Sequence, residues 1–162
     1  MRISITTFYN VRFLKPSQIP ISTAVWDPKW YHDNQRPNYW FVDKRGVING
    51  LREPRLSPFS LDSEAMCKNV CPHKNSLPEC PFRVKYSEYL DTVDFDSLLS
   101  DFRRVQAKAS MILQLAESPE IVLLVYEKPD NACSERDALR NYFGKNGFEL
   151  PELEFNKQES LL

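Results

Sequence analysis

"IVLLVYEKPDNACSER", residues 121–136, decides how this chain is read. Ile121 to Val125 are all branched aliphatics, and such a short apolar run suits a strand buried on both faces better than a helix. The spacing predicts a strand over 121–127 and then a proline-containing loop. A helix follows over about 134–145, with Ser134 and Asp137 in the spacing of a capping box. Gly144 or Gly147 would end that helix. Where the strand runs out, Glu127, Cys133, Ser134, Glu135 and Arg136 gather, as a reactive site, a ligand cradle or the cap of the next helix.

Upstream, "YSEYLDTVDFDSLLSDFRRVQAKASMILQLAES" places Phe95, Leu98, Leu99, Phe102, Val105, Ile112 and Leu115 at helical spacing. This predicts a long amphipathic helix, capped by Asp94 or Asp96 and stopped at Ser118-Pro119. "ISITTFY" (3–9) is a first strand, and "PSQIPISTAVW" supplies a second at roughly 20–26. Residues 27–60 are aromatic, charged and broken by prolines. They offer no helix, only short strands or a hairpin in "NYWFVD" and "GVINGL", with Gly46 near the turn. "GFELPEL" (147–153) supplies a last strand. Strand, long helix, buried strand, helix, strand is the order of a crossover α/β unit. A mostly parallel open sheet with flanking helices follows, its ligand edge at the carboxyl ends of the strands.

A chain of 162 residues suits one α/β domain, here 1–155, with a Cys-rich insertion at 61–83 and a frayed tail at 156–162. With 42% hydrophobic and 27% charged residues, bulk disorder is not expected. The net charge of −1 creates no broad field for nucleic acid, which is therefore not the favoured partner. "MRISITTFYNVRFLK" interrupts its apolar residues with polar ones and lacks a signal-peptide core. No run of about 18 apolar residues is present to span a membrane. A cytoplasmic protein is expected, in which four cysteines are thiols or metal ligands rather than disulfides.

Three constellations carry candidate chemistry. In the first, Cys133 would precede a helix, near its positive end and Arg136, and both effects favour the thiolate. Glu127 would serve as acid or base, or pin Arg136. The same residues also read as a small buried thiol beside two solvated helix positions. In the second, Cys67, Cys71, His73 and Cys80 in "CKNVCPHKNSLPEC" are four soft ligands within fourteen residues, a structural zinc set stiffened by prolines. Their C-x3-C-x-H-x6-C spacing matches no standard finger, so unligated thiols and an iron–sulfur site stay open. In the third, Trp26, Lys29 and Trp30 follow the second strand with Asp27, while Tyr9, Asn10 and Arg12 follow the first. Rings beside cations stack a base and hold a phosphate, and Asp27 would position a sugar hydroxyl. Rings plugging a core beneath a long loop are the plain alternative. His32 reads as a surface residue. There is no GxSxG, Walker loop or GxGxxG.

"VLLVYEKPDNACSERDALRNYFGKNGFEL" resembles the C-terminal signature of the domain-of-unknown-function 488 family. That signature is an apolar strand ending in a Glu-Lys-like pair, a proline-containing loop, a cysteine, a nearby arginine and a helix. "ISITTFYNVR", "ISTAVWDPKWY" and "DKRGVINGLREPRLSP" resemble segments of its longer, phage- and Firmicutes-type members. The family signature has a histidine between cysteine and arginine, whereas this chain reads Cys133-Ser134-Glu135-Arg136, which removes a catalytic histidine there. The resemblance implies a Rossmann-like α/β fold and a pocket built by Cys133, Arg136, Glu127 and N-terminal partners. Two functions follow as expectations. One is an enzyme acting on a nucleotide, nucleoside or modified base, with Cys133 or Glu127 as nucleophile or base, Arg136 as anion clamp and Asp27 positioning substrate. The other is a non-catalytic phage or mobile-element module that sequesters such a ligand or docks on a partner.

Overall fold

The computed structural model describes residues 1–37, 39–58, 81–129 and 135–155. Three parallel strands form the sheet: β1 (Ile3–Thr7), β2 (Gln18–Ser22) and β5 (Glu120–Val125), in the order β1-β5-β2. Ile121 lies in register with both Ile3 and Ile19. Each edge gains one more parallel segment. Ile5 N–H donates to Pro151 O at 3.0 Å and Leu153 N–H to Ile5 O at 2.8 Å. At the other edge Ser22 N–H donates to Leu51 O and Glu53 N–H to Ser22 O, both at 2.9 Å. The expected strand in "GFELPEL" is therefore a single bridge at Glu152 rather than a full strand. β2 lies earlier than expected, because the chain turns away after Ser22, and β5 stops at Val125, two residues short of its expected end.

β5 is central, and Ile121 to Val125 are fully buried, as a parallel strand covered on both faces requires. Strand alternation then divides the core in two. Ile121, Leu123 and Val125 face Ile3, Ile5, Ile19 and Ile21 on the side that carries the helices. Val122 and Leu124 face Phe8, Val11, Leu14, Ala24, Tyr31 and Val47 on a side covered by turns and loops. The flanking helices among the described residues thus share one face of the sheet.

These are α1 (Pro81–Leu90), α2 (Phe95–Leu113) and α3 (Arg136–Lys145). Proline at the first position suits a helix start, and Phe82, Tyr86 and Leu90 form the buried stripe of α1. This helix lies partly within the expected insertion 61–83, whose boundary therefore falls before Pro81. Asp94 caps α2 as expected, accepting from the N–H groups of Asp96 (3.1 Å) and Ser97 (3.3 Å). α2 ends earlier than Ser118-Pro119, at Gln114, which adopts the left-handed conformation at φ 54°. α3 begins at Arg136 with Glu135 at its cap position and no side-chain cap bond there.

On the other face, a 3-10 turn (Phe8–Phe13) follows β1, and a short one (Lys29–Tyr31) follows β2. The expected hairpin is present as β3 (Phe41–Val42) and β4 (Ile48–Asn49). Asp43 accepts from the backbone N–H groups of Arg45 and Val47, and Gly46 takes φ +83° within that turn. Buried Tyr31 shares its hydroxyl proton between Leu51 O (2.7 Å) and Pro20 O (3.0 Å), anchoring the loop to β2.

Candidate functional site

The loop-covered face opens into a cleft of about 840 Å³ beside the carboxyl ends of β1 and β5. Phe8, Tyr9 and Arg12 reach it from the turn after β1, Pro28 and Trp30 from the loop after β2, and Tyr126 from the end of β5. The hairpin contributes Phe41, Asp43, Arg45 and Asn49. Tyr126 is placed here by strand alternation: it follows Val122 and Leu124 onto this face. Its ring lies 4.7 Å from that of Phe8, and Trp30 meets Phe8 edge-on at 6.4 Å. Trp30 and Tyr126 are each about half exposed (51% and 50%), so their rings are supported from one side and open on the other. Burial raises the Tyr126 phenol above its ordinary value, and the nearby charge of Asp27 adds to this.

Among the described residues, two guanidiniums border the cleft. Arg45 is committed, donating to Val11 O at 2.7 Å and to Asp43 Oδ2 at 2.6 Å. Partial burial opposes the Asp43 charge. Hydrogen bonds from the Arg45 side chain and the Val47 and Arg45 amides outweigh it and hold that carboxyl below its ordinary value. Arg12 lies with its guanidinium carbon 3.9 Å from the Tyr9 ring centre, a cation–π contact.

Asp27 sits where expected, just past β2, but its carboxylate is turned inward and only 3% exposed. It accepts from the Ser22 hydroxyl, lies 2.6 Å from His32 Nε2 and pairs with Arg52 Nε at 3.1 Å. Arg52 also donates to Ala24 O at 2.8 Å. These bonds tie the loop bearing Pro28 and Trp30 to the sheet edge, so Asp27 supports the cleft wall rather than meeting a ligand. Against a carboxylate, His32 Nε2 carries the proton, and its Nδ1 is buried with no hydrogen-bond partner among the described residues. His32 is thus an internal residue and not the surface group its sequence context suggests.

The cluster at the end of β5 faces the other way. Glu127 follows Val125 onto the helical face, where its charge and that of Glu135 reach the Tyr86 phenol. Arg136 is 2% exposed. It holds Glu152 with two bonds, Nε to Oε1 at 2.6 Å and Nη2 to Oε2 at 3.1 Å, and donates through Nη1 to the Glu127 carbonyl. Arg140 adds a bond to Glu152 at 3.0 Å. Arg136 therefore clamps the 151–153 segment to the end of β5, an internal task in place of the expected ligand clamp. Burial pushes the Glu135 carboxyl up to about 8, the charge of Glu127 adds to this, and Arg136 opposes it. Burial also raises Glu127, against the pull of its own backbone amide and of Arg136. Glu127 and Glu135 each keep one buried oxygen without a hydrogen-bond partner among the described residues.

Of the expected ligand residues, Tyr9, Arg12 and Trp30 converge on the cleft. Asn10 instead donates to Thr6 Oγ1 at 2.9 Å. Lys29 is exposed outside the lining, and Trp26 is a surface ring at 80% exposure. Glu135 lies on the helical face. Cys133 and Ser134, and the metal candidates Cys67, Cys71, His73 and Cys80, lie outside the described residues. Among the described residues no group of three or more His, Cys, Asp and Glu is placed to hold a metal. Sequence reasoning passed over Phe8, Phe41, Asn49 and Tyr126. None of these carries a local signal: β5 is apolar on both faces, so its residue types do not say which face Tyr126 takes.

No family model, curated protein or solved structure matches the chain. No helix among the described residues is long and apolar enough to cross a membrane.

Proposed function

We propose that this chain binds a small nucleotide- or nucleoside-like ligand in the cleft at the carboxyl ends of β1 and β5. One observation carries this reading: rings from three separate segments, Tyr9, Trp30 and Tyr126, border one cleft together with the guanidinium of Arg12. A flat base stacks on half-exposed rings whatever its sequence identity, and a guanidinium meets the oxyanion that such ligands carry. A volume of about 840 Å³ is within the range of small-molecule sites. Trp30→Ala and Tyr126→Ala, each removing a ring in contact with Phe8, supply the test by calorimetric titration with adenosine and adenosine monophosphate. Each variant is expected to lose at least about ten-fold in affinity while keeping its circular dichroism spectrum. Unchanged affinity in both would remove the cleft as the site.

Binding is favoured over turnover because Glu127 and Arg136, the partners an enzymatic Cys133 would use, face the helical layer. Turnover abolished by Cys133→Ala with binding spared would reverse that preference. A second reading, a non-catalytic phage or mobile-element accessory module docked on a partner protein, draws on Trp26, whose ring is free of the cleft and 80% exposed. The Rossmann-like reading of the fold, and with it the kinship to the domain-of-unknown-function 488 family, rests on the parallel crossover order. The loop covering of the second face is its departure. A structural zinc held by Cys67, Cys71, His73 and Cys80 stands on ligand chemistry alone, and metal content near one equivalent per chain is its test.

A further inference from the structure

Resting on the cleft reading above, we infer that the ligand carries a single phosphate, and that Arg12 is the residue that reads it. The charged groups among the described lining are two guanidiniums and one carboxylate, a net of one positive charge. They are not equivalent. Arg45 and Asp43 neutralise each other at 2.6 Å, and every oxygen of Asp43 is engaged, since Asn49 Nδ2 adds a bond at 3.0 Å to those from Arg45 and Val47. This pair stiffens the hairpin wall and has little attraction left for an anion. Arg12 has neither an ion pair nor a hydrogen bond among the described residues, and its contacts are the rings of Tyr9 and Phe13. The contact with Tyr9 holds the guanidinium against the ring, and its N–H groups, without an acceptor among the described residues, suit an oxyanion, which a planar fork takes with two parallel bonds.

The geometry therefore offers one strong anion position, at the Tyr9 side, and aromatic surface at Trp30 and Tyr126. A base on the rings with one phosphate at Arg12 uses both. A second or third phosphate would meet Arg45 already neutralised and the carboxylate of Asp43 beside it, so added charge brings no added attraction. The class that fits is a nucleoside monophosphate rather than a di- or triphosphate.

Calorimetric titration of the full chain with adenosine and its mono-, di- and triphosphates, in buffer free of divalent metal, tests this. The monophosphate is expected to bind at least about ten-fold tighter than adenosine, and the di- and triphosphates within about three-fold of the monophosphate. Arg12→Ala is expected to erase the step between adenosine and its monophosphate and to leave adenosine within about two-fold of its original affinity. Lys29→Ala, at an exposed cation outside the lining, is the control and should keep the step. Affinity that climbs with each phosphate would overturn the single-phosphate assignment. A step that survives Arg12→Ala would overturn the role of Arg12. In both cases adenosine still binds, so the cleft reading stands without this refinement. If neither adenosine nor any of its phosphates binds, the cleft reading falls and this inference falls with it.

Discussion

The two faces of the sheet carry similar kinds of side chain and use them in opposite ways. On the loop-covered face, Tyr9, Trp30 and Tyr126 are open to water, and Arg12 makes no ion pair among the described residues. On the helical face, Arg136 is sealed against Glu152 and the Glu127 carbonyl, and two carboxyls are buried beside it. The difference follows from what covers each face. The three helices among the described residues enclose the polar groups of their face: Arg136 is held by its partners, while a buried carboxyl such as Glu135 is pushed toward its neutral form, because a buried charge without a partner costs several kcal/mol. Loops and 3-10 turns leave a rim with rings exposed, which is where a ligand can be received. A cationic side chain near a strand end is thus a structural clamp or a binding group according to its face.

The largest expected effect tests the structural half of this contrast. Arg136→Ala leaves the Glu127 carbonyl without its buried donor and Glu152 with only its bond from Arg140 among the described residues, and is expected to cost about 3 kcal/mol of unfolding free energy in urea titration. Where the variant is still folded, adenosine binding should stay within about two-fold. A loss of binding larger than the loss of folded protein would mean that the two faces are not independent.

Next comes the pH dependence of the helical face. The Glu135 carboxyl is raised to about 8 in the folded protein from an ordinary value near 4.5. The folded state then holds a proton that the unfolded chain has released. Its stabilising contribution is full below about pH 4.5, declines as pH rises, and is gone above about pH 8. One proton limits the slope to about 1.4 kcal/mol per pH unit. Glu135→Gln should flatten the fall in stability between those limits, measured by urea titration at a series of pH values. An unchanged profile would show that Glu135 is not held protonated.

The smallest effect belongs to the loop face. Lys29→Ala removes an exposed cation with no clamp role, and its stability cost is expected to stay under about 0.5 kcal/mol by the same measurement. A cost approaching that of Arg136→Ala would break the comparison.

Much of the framework was legible from local pattern. The branched aliphatics of β5 permit little else, and the period of Phe95, Leu98, Leu99 and Phe102 behind Asp94 marks α2 and its cap. α1 was not expected: its marks, Pro81 and the stripe Phe82, Tyr86 and Leu90, are short, and the boundary of the cysteine insertion falls across them. Tyr9, Arg12 and Trp30 line one cleft because both groups follow strands that end at the same edge.

What remained hidden was the face on which each group lies. β5 is apolar on both sides, so its period of two leaves no trace in the residue types. The assignment of Tyr126 to the cleft and Glu127 to the helices cannot be read from them. Nor could local pattern reveal that Asp27 is engaged, since its partners Ser22, His32 and Arg52 come from separate segments. The amino-acid sequence by itself determined the buried strand, the long helix and the stock of rings and cations near the strand ends, because propensity and periodicity act over a few neighbours. Only the tertiary structure decided which of those cations is a clamp and which faces a ligand, because that depends on what is packed against each face of the sheet.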